Sequence, residues 1–209
     1  MAIAVTTVLQ AVNTMLQTIG ESTLASTTNL ATATLPYEAA AAVTILDEVV
    51  REVCMDSYVF NTEEDRVLTA DGSTGKISAT TPEPYVQIRN QGTGEDYVIR
   101  SGFVYSMKNK TDVFAASSTI TITGVYLLEF LELPEAAKRY CLIRAARIFS
   151  DRLVGSKDIR AFSERDEFEA KAKLADYEFG IDQINMLRDS SSVANSLVRS
   201  TGGSGNGLY

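Results

Sequence analysis

Few side chains in this chain could do chemistry, and the first fact about them is a gap. The 209 residues contain no histidine. That removes the commonest general base and the commonest zinc ligand together. Two groups of carboxylates, Glu63-Glu64-Asp65 and Asp176/Glu178/Asp182, could hold a divalent ion. Neither has the ligand spacing of a defined loop motif, so a solvated or salt-bridged face is the simpler reading. Gly72-Ser73-Thr74-Gly75-Lys76-Ile77 looks superficially like a phosphate-binding loop. Its glycines are too close together, and Ile77 stands where a Mg²⁺-binding Ser or Thr is needed. It reads as a hairpin turn, as does Gly92-Thr93-Gly94, which no helix follows. No Ser/His/Asp or Cys/His arrangement can be assembled, and no spacing points to a Ser–Lys dyad. No catalytic residue, metal site or cofactor is expected.

The densest chemistry is a set of cations. Lys138, Arg139, Arg144, Arg147 and Arg152 lie on one segment against only Glu135 and Asp151, in a chain of net charge −8. Three settings suit them. They are solvated or paired within the chain, or they pair with an acidic face such as the last helix of an adjacent copy, or they face a polyanion such as DNA. No aromatic residues interleave with them as a single-strand platform needs.

These cations sit on the first of two long helices expected between Pro134 and Leu187. The first runs from about Pro134 to Val154, with Pro134 suited to its opening turn and Gly155 to a left-handed stop. At about 100° per residue, Ala137, Cys141, Leu142, Ala145, Ala146, Ile148, Phe149 and Leu153 share one half of the cylinder. Arg139, Arg144, Arg147, Ser150 and Asp151 share the other. The second starts between Ser156 and Ser163 and ends near Gly180, with Ser163 as a candidate cap. Phe168, Ala172, Leu174, Ala175, Tyr177 and Phe179 give it a broken apolar stripe, and its other face is densely charged. That pattern fits either a solvated surface helix or one covered by a neighbouring subunit.

Earlier in the chain, Val5, Val8, Leu9, Val12, Leu16 and Ile19 predict an amphipathic helix stopped by Gly20. A Ser/Thr/Ala-rich connection follows. A second helix begins near Pro36, with Thr34 as a candidate cap and Ala39, Val43, Leu46, Val49, Val50, Val53 and Cys54 as its buried stripe. Its start, Glu38 to Thr44, is so rich in alanine that another helix could pack closely there. From Tyr58 the period changes to two. Strand-like runs cover 58–60, 66–69, 76–80, 85–89, 97–100, 103–107 and 120–130. The clearest hairpin is Tyr97 to Tyr105, with a two-residue turn at Ser101-Gly102. Residues 108–118 read as a loop. The fold expected is α+β: helix pairs at 1–57 and 133–187 packing together as a helical bundle, an antiparallel β region inserted at 58–132, and an extended tail at 188–209.

The hydrophobic fraction of 45% is enough for a real core. An acidic chain is not held to nucleic acid by its overall charge. No apolar run approaches the ~18 residues of a membrane span, and the first twelve residues lack a signal-peptide pattern. Cys54 and Cys141, the only cysteines, fall on apolar helix faces and read as buried thiols in a reducing compartment. The Ser/Gly/Asn-rich tail offers only Val193, Leu197, Val198, Leu208 and Tyr209 to bury. Alone it cannot offset the entropy of ordering, so a partner subunit is expected to hold it.

Four stretches, in order along the chain, carry a resemblance. They are Ala11-Val12-Asn13-Thr14-Met15-Leu16-Gln17-Thr18-Ile19-Gly20-Glu21; Phe60-Asn61-Thr62-Glu63-Glu64; the hairpin 97–105 continued by Thr111-Asp112-Val113-Phe114; and Leu133-Pro134-Glu135 with Gly155, Tyr177-Glu178 and Asn185-Met186-Leu187. In these the chain resembles the tail tubular protein A family of short-tailed bacteriophages, the head-to-tail adaptors or gatekeepers. Residues 72–84 and the tail after Asp189 depart from the family pattern. The resemblance implies a closed ring of about a dozen copies. Such a ring docks under the portal protein, carries the tail nozzle protein and fibres below, and passes the genome through its axis without catalysis. The partners implied are other copies, portal, nozzle, fibres and, transiently, genomic DNA. The place implied is the virion tail, assembled in the host cytoplasm. Two other readings remain open at this point. One is a soluble enzyme or regulator with a site in the β region, which requires convergent carboxylates or lysines in a pocket. The other is a DNA-binding module using Arg139, Arg144 and Arg147.

Overall fold

A computed structural model describes residues 6–25, 28–30, 33–81, 84–90, 95–155 and 157–189. Four helices and five strands are arranged as α1 Val8–Thr18, α2 Tyr37–Met55, β1 Thr62–Thr69, β2 Tyr85–Asn90, β3 Tyr97–Arg100, β4 Phe103–Ser106, β5 Thr119–Tyr126, α3 Glu135–Leu153 and α4 Lys157–Asp189. The mixed α+β class expected from the change of period is what forms.

Each helix follows from its apolar spacing. In α1, Ala11, Val12, Met15 and Leu16 are buried, and Thr7 and Gln10 close a reciprocal capping box at the start. In α2 the buried set is Ala39, Ala42, Ile45, Leu46, Val49, Val50, Val53 and Cys54. Thr34 does not cap it. Pro36 occupies that position without a side-chain bond, because an extended proline already sets the entry angle. In α3, Ala137, Tyr140, Cys141, Ala145 and Phe149 face the core. Ser150, expected on the polar side, is buried too. Its hydroxyl donates to the Arg147 carbonyl at 2.9 Å, which removes the cost of burying it. Gly155 takes a positive φ of 66° and ends the helix as expected. These faces meet in one apolar core, to which α4 adds Ala170 and Leu174. A fully buried side chain such as Phe149 contributes about 1.5–3 kcal/mol there.

The helix α4 departs most from expectation. It is continuous from Lys157 to Asp189. Ser163 therefore lies inside it rather than capping it, and Gly180 does not stop it. A glycine inside a helix costs about 1 kcal/mol, which a long helix with one packed face can absorb.

The strands form two antiparallel sheets, one ordered β1-β5-β2 and the other the β3–β4 hairpin. The hairpin register pairs Tyr97 with Ser106 and Arg100 with Phe103, and Ser101 and Gly102 both take positive φ, as a tight primed turn requires. Three predicted strands change. Residues 58–60 instead enter a short 3₁₀ turn, Val59–Asn61. Residues 76–80 give only a bridge between Ser78 and Phe103, although Val104 N–H donates to Ile77 O and Ala79 N–H to Gly102 O. The last run ends at Tyr126, and a second 3₁₀ turn, Phe130–Glu132, leads into α3. A second core, with Ile77, Ala79, Tyr85, Ile88, Tyr97, Val104, Ile122 and Tyr126, fills the β region. Gly124 on β5 is required by packing: a Cβ there would lie 2.4 Å from the Tyr85 ring. That ring stacks near Tyr126, whose hydroxyl donates to Glu63 at 2.8 Å.

One buried polar side chain ties the two regions together. The Asn61 amide donates to the Cys54 carbonyl at the end of α2 (2.7 Å) and to the Tyr126 carbonyl at the end of β5 (3.0 Å). Cys54 and Cys141 are both buried and unbonded to each other. Burial raises both thiols, and Cys141 is pushed up to about 12. Asn61→Ala removes both bonds, leaving the Cys54 carbonyl with only the N–H groups of the helix end, Ser57 at 3.4 Å among them, and is expected to lower stability by about 1–3 kcal/mol in urea unfolding. A loss below 1 kcal/mol would show that this bond is not the tie between the regions.

Candidate functional site

The five cations of α3 resolve into different settings. Arg144 reaches two acids: its Nη2 lies 2.5 Å from Glu52 Oε1 on α2, and its Nη1 lies 2.7 Å from Glu167 Oε1 on α4. Arg147 donates through Nε to the other Glu167 oxygen and pairs with Asp151 one turn on. Arg152 pairs with Glu48 on α2 at 3.1 Å. Lys138 is not at the surface at all. Its side chain is only 3% exposed and ends on Glu135 at 3.3 Å, and Glu135 also accepts from the Thr6 N–H and hydroxyl. Arg139 is exposed. Four of the five are thus committed within the chain, and the acids that neutralise them come mainly from α2 and α4. Arg144 and Arg147 are half-buried fasteners between helices rather than a free row of charges. The pattern of types showed the charge but not its partners, because Glu48, Glu52 and Glu167 become neighbours only when α2 and α4 pack on α3.

Electrostatics at this joint follow from its geometry. Partial burial pushes the Glu167 carboxyl up. The hydrogen bonds from Arg147 and Arg144 outweigh that and hold it below the usual carboxylate range. Arg144 is held further up by Glu52 and Glu167 against its own desolvation.

The acidic groups behave in the same structural way. Glu63 takes the Tyr126 hydroxyl and lies 3.6 Å from Arg66. Glu178 accepts the Val59 N–H at 2.6 Å, so it docks α4 on the 3₁₀ turn. Asp176 is exposed, and the Asp182 side chain lies outside the described residues. Among the described residues no group of three or more acids or cysteines is placed to hold a metal ion. The 72–77 stretch is a turn built on Asp71, whose Oδ1 accepts from the N–H and hydroxyl of both Ser73 and Thr74. These bonds hold the Asp71 carboxyl far below the carboxylate range. Lys76 is turned to Asp112 at 2.8 Å and over the Phe103 ring, so it is not free to take a phosphate. Gly92-Thr93-Gly94 lies outside the described residues. A cavity of about 510 Å³ opens beside β1, lined by Asp65, Arg66, Val67, Leu68, Thr69, Ile77, Ser78 and Thr81. One acid and one cation do not make the convergent set that an enzyme site needs.

The surface of α4 is where the structure adds most. The broken stripe of the sequence divides into two faces. Leu174, with Ala170, points into the core. Phe168, Ala172, Ala175 and Phe179 follow at intervals of four, three and four residues, a strip about 60° wide on the opposite side of the cylinder. All four are exposed, Phe168 at 75% and Phe179 at 60%. Tyr177 sits at the margin of the inner face. The tail residues Val193, Leu197, Val198, Leu208 and Tyr209 lie outside the described residues. Among the described residues no helix is long and apolar enough to cross a membrane.

Among the described residues, the cations of α3 thus fasten helices together, and α4 leaves an apolar strip facing outward. The family model of tail tubular proteins matches residues 9–184, and the chain belongs to that family. It is thus a structural component of a phage tail and of the virion. No curated protein matches it.

The Glu167 joint makes a prediction with a definite sign. A carboxyl whose folded pKa is depressed adds stability above its unfolded value, near 4.3, and loses it as pH falls through the folded value. Glu167→Ala is expected to lower stability by about 1–2 kcal/mol at pH 7, less at pH 3, because two half-buried guanidiniums each lose one carboxylate partner while Arg144 keeps Glu52 and Arg147 keeps Asp151. Equal losses at both pH values would mean that packing, not charge, holds α4 in place.

Proposed function

We propose that this protein is the head-to-tail adaptor of a short-tailed phage, a closed ring set between the portal and the tail nozzle, whose axial channel passes the genome during ejection. Such a ring of about twelve copies also bears the tail fibres and is assembled in the host cytoplasm. The observation that carries the reading is the outward apolar strip of α4 in a chain of the tail tubular family. A solitary soluble protein gains nothing from two exposed phenylalanines one above the other, whereas a ring subunit buries them. Net charge supports the channel role, since an acidic wall lets DNA slide without sticking. The division into helix pairs at 1–57 and 133–187 around an inserted β region gives such a subunit a helical body and a separate β module for a second contact. Any contact with DNA is transient and non-specific. Direct binding through Arg139, Arg144 and Arg147 is not favoured, because Arg144 and Arg147 already hold Glu52, Glu167 and Asp151.

Native mass measurement and symmetry counting on the purified assembled protein test the ring. The expected result is a closed multimer burying several thousand Å² per subunit, and a protein that stays monomeric at every concentration would end this reading. The tail is expected to reach a neighbouring copy or the portal. Deleting residues 190–209 should leave the melting transition in place while reducing the yield of tailed particles. Complete particles at normal yield would assign the tail no part in assembly.

A further inference from the structure

The outer strip of α4 has a counterpart elsewhere on the same chain. Between the start of α2 and the end of α3 lies an open groove of about 250 Å³, lined by Tyr37, Ala41, Thr44, Ile45, Arg152 and Leu153. Its rim is apolar and uncovered, with Tyr37 74% and Leu153 38% exposed. Ala40 and Thr44 are exposed beside it, so a second helix can approach the α2 backbone closely. This is the alanine-rich start of α2, and nothing in the core uses its outer side.

We propose that the Phe168/Ala172/Ala175/Phe179 strip of one copy packs into the α2–α3 groove of the next, making a head-to-tail contact; this rests on the ring reading above. The shapes correspond. The strip offers two aromatic side chains separated by small residues, and the groove offers an alanine floor with an aromatic and aliphatic rim. Charges of both signs edge the two patches. Exposed Arg165, Lys171 and Asp176 flank the strip, and the half-exposed Arg152–Glu48 pair stands at the groove rim, so the strip's edge offers partners to both members of that pair. The strip does not close on its own groove, because the inner face of α4 is fixed to α3 through Glu167 and points the strip the other way. A contact between two unlike patches repeats from copy to copy and closes into a ring, whereas a strip paired with its own twin stops at two.

Complementation between two surface variants tests the contact. Phe168→Asp/Phe179→Asp removes the strip, and Tyr37→Asp/Thr44→Arg blocks the groove. All four positions are exposed, so melting curves should match the parent chain. Each variant alone is expected to be monomeric at concentrations about a hundredfold above those at which the parent chain assembles. An equal mixture retains one good strip and one good groove per pair, and should give a two-copy species and nothing larger. Either variant assembling like the parent would overturn the contact, as would a mixture that stays monomeric. A strip variant that fails while the groove variant assembles fully would place the strip against something other than this groove. In each of those cases the ring reading survives. A parent chain that never assembles would instead defeat the ring reading itself.

Discussion

The joint at Glu167 decides how this molecule presents itself. A single carboxylate receives Arg144 and Arg147 from α3, and Arg144 in turn holds Glu52 on α2. Three helices are locked in rotation about their own axes by that one cluster. Ion pairs of this kind add little net stability, since desolvation consumes most of the attraction. What they specify is orientation. With Glu167 turned inward, Ala170 and Leu174 enter the core, and Phe168 and Phe179 must face away from it. A helix fastened only by leucines could roll by half a turn at small cost, because it has apolar residues on both sides.

A second constraint acts between the helical and β regions. Asn61 bonds the last carbonyls of α2 and β5, and Glu178 caps the adjoining 3₁₀ turn from α4. The chain therefore passes from helix to sheet through a short segment with its backbone groups satisfied from three directions. Beyond it, Gly124 leaves room for the Tyr85 ring, and the Tyr85–Tyr126–Glu63 contacts tie all three strands together at the end of the sheet that Asn61 holds. A structural protein of a phage tail is well served by a rigid junction at this point.

Much of this was legible in the sequence, and the misses share a cause. The 3.6-residue spacing in α1, α2 and α3, the Gly155 stop and the Ser101-Gly102 hairpin are local signals, and they gave the right elements. Ser163 and Gly180 misled because capping and breaking preferences are worth about 1 kcal/mol, less than a long packed face supplies. Residues 76–80 alternate like a strand but find only the end of the hairpin to bridge. The two faces of α4 could have been separated by their angles, since Leu174 and Phe168 lie on opposite sides of the cylinder, yet which side is inner depends on Glu167. The cations showed themselves by type, and Glu135 and Asp151 lie within a turn of their partners, but the acids on α2 and α4 sit 20 to 104 residues away along the chain, and no spacing rule spans that distance.

The thiols carry a last consequence. A virion leaves the reducing interior of its host and waits, often for long periods, in air-saturated water. Cysteines at an exposed surface would then slowly form cross-links or acids. Here both sulfurs sit within the helical core, Cys141 with its proton held up to about 12, so almost none is present as the reactive thiolate at neutral pH. The particle can age outside the cell without its joints corroding.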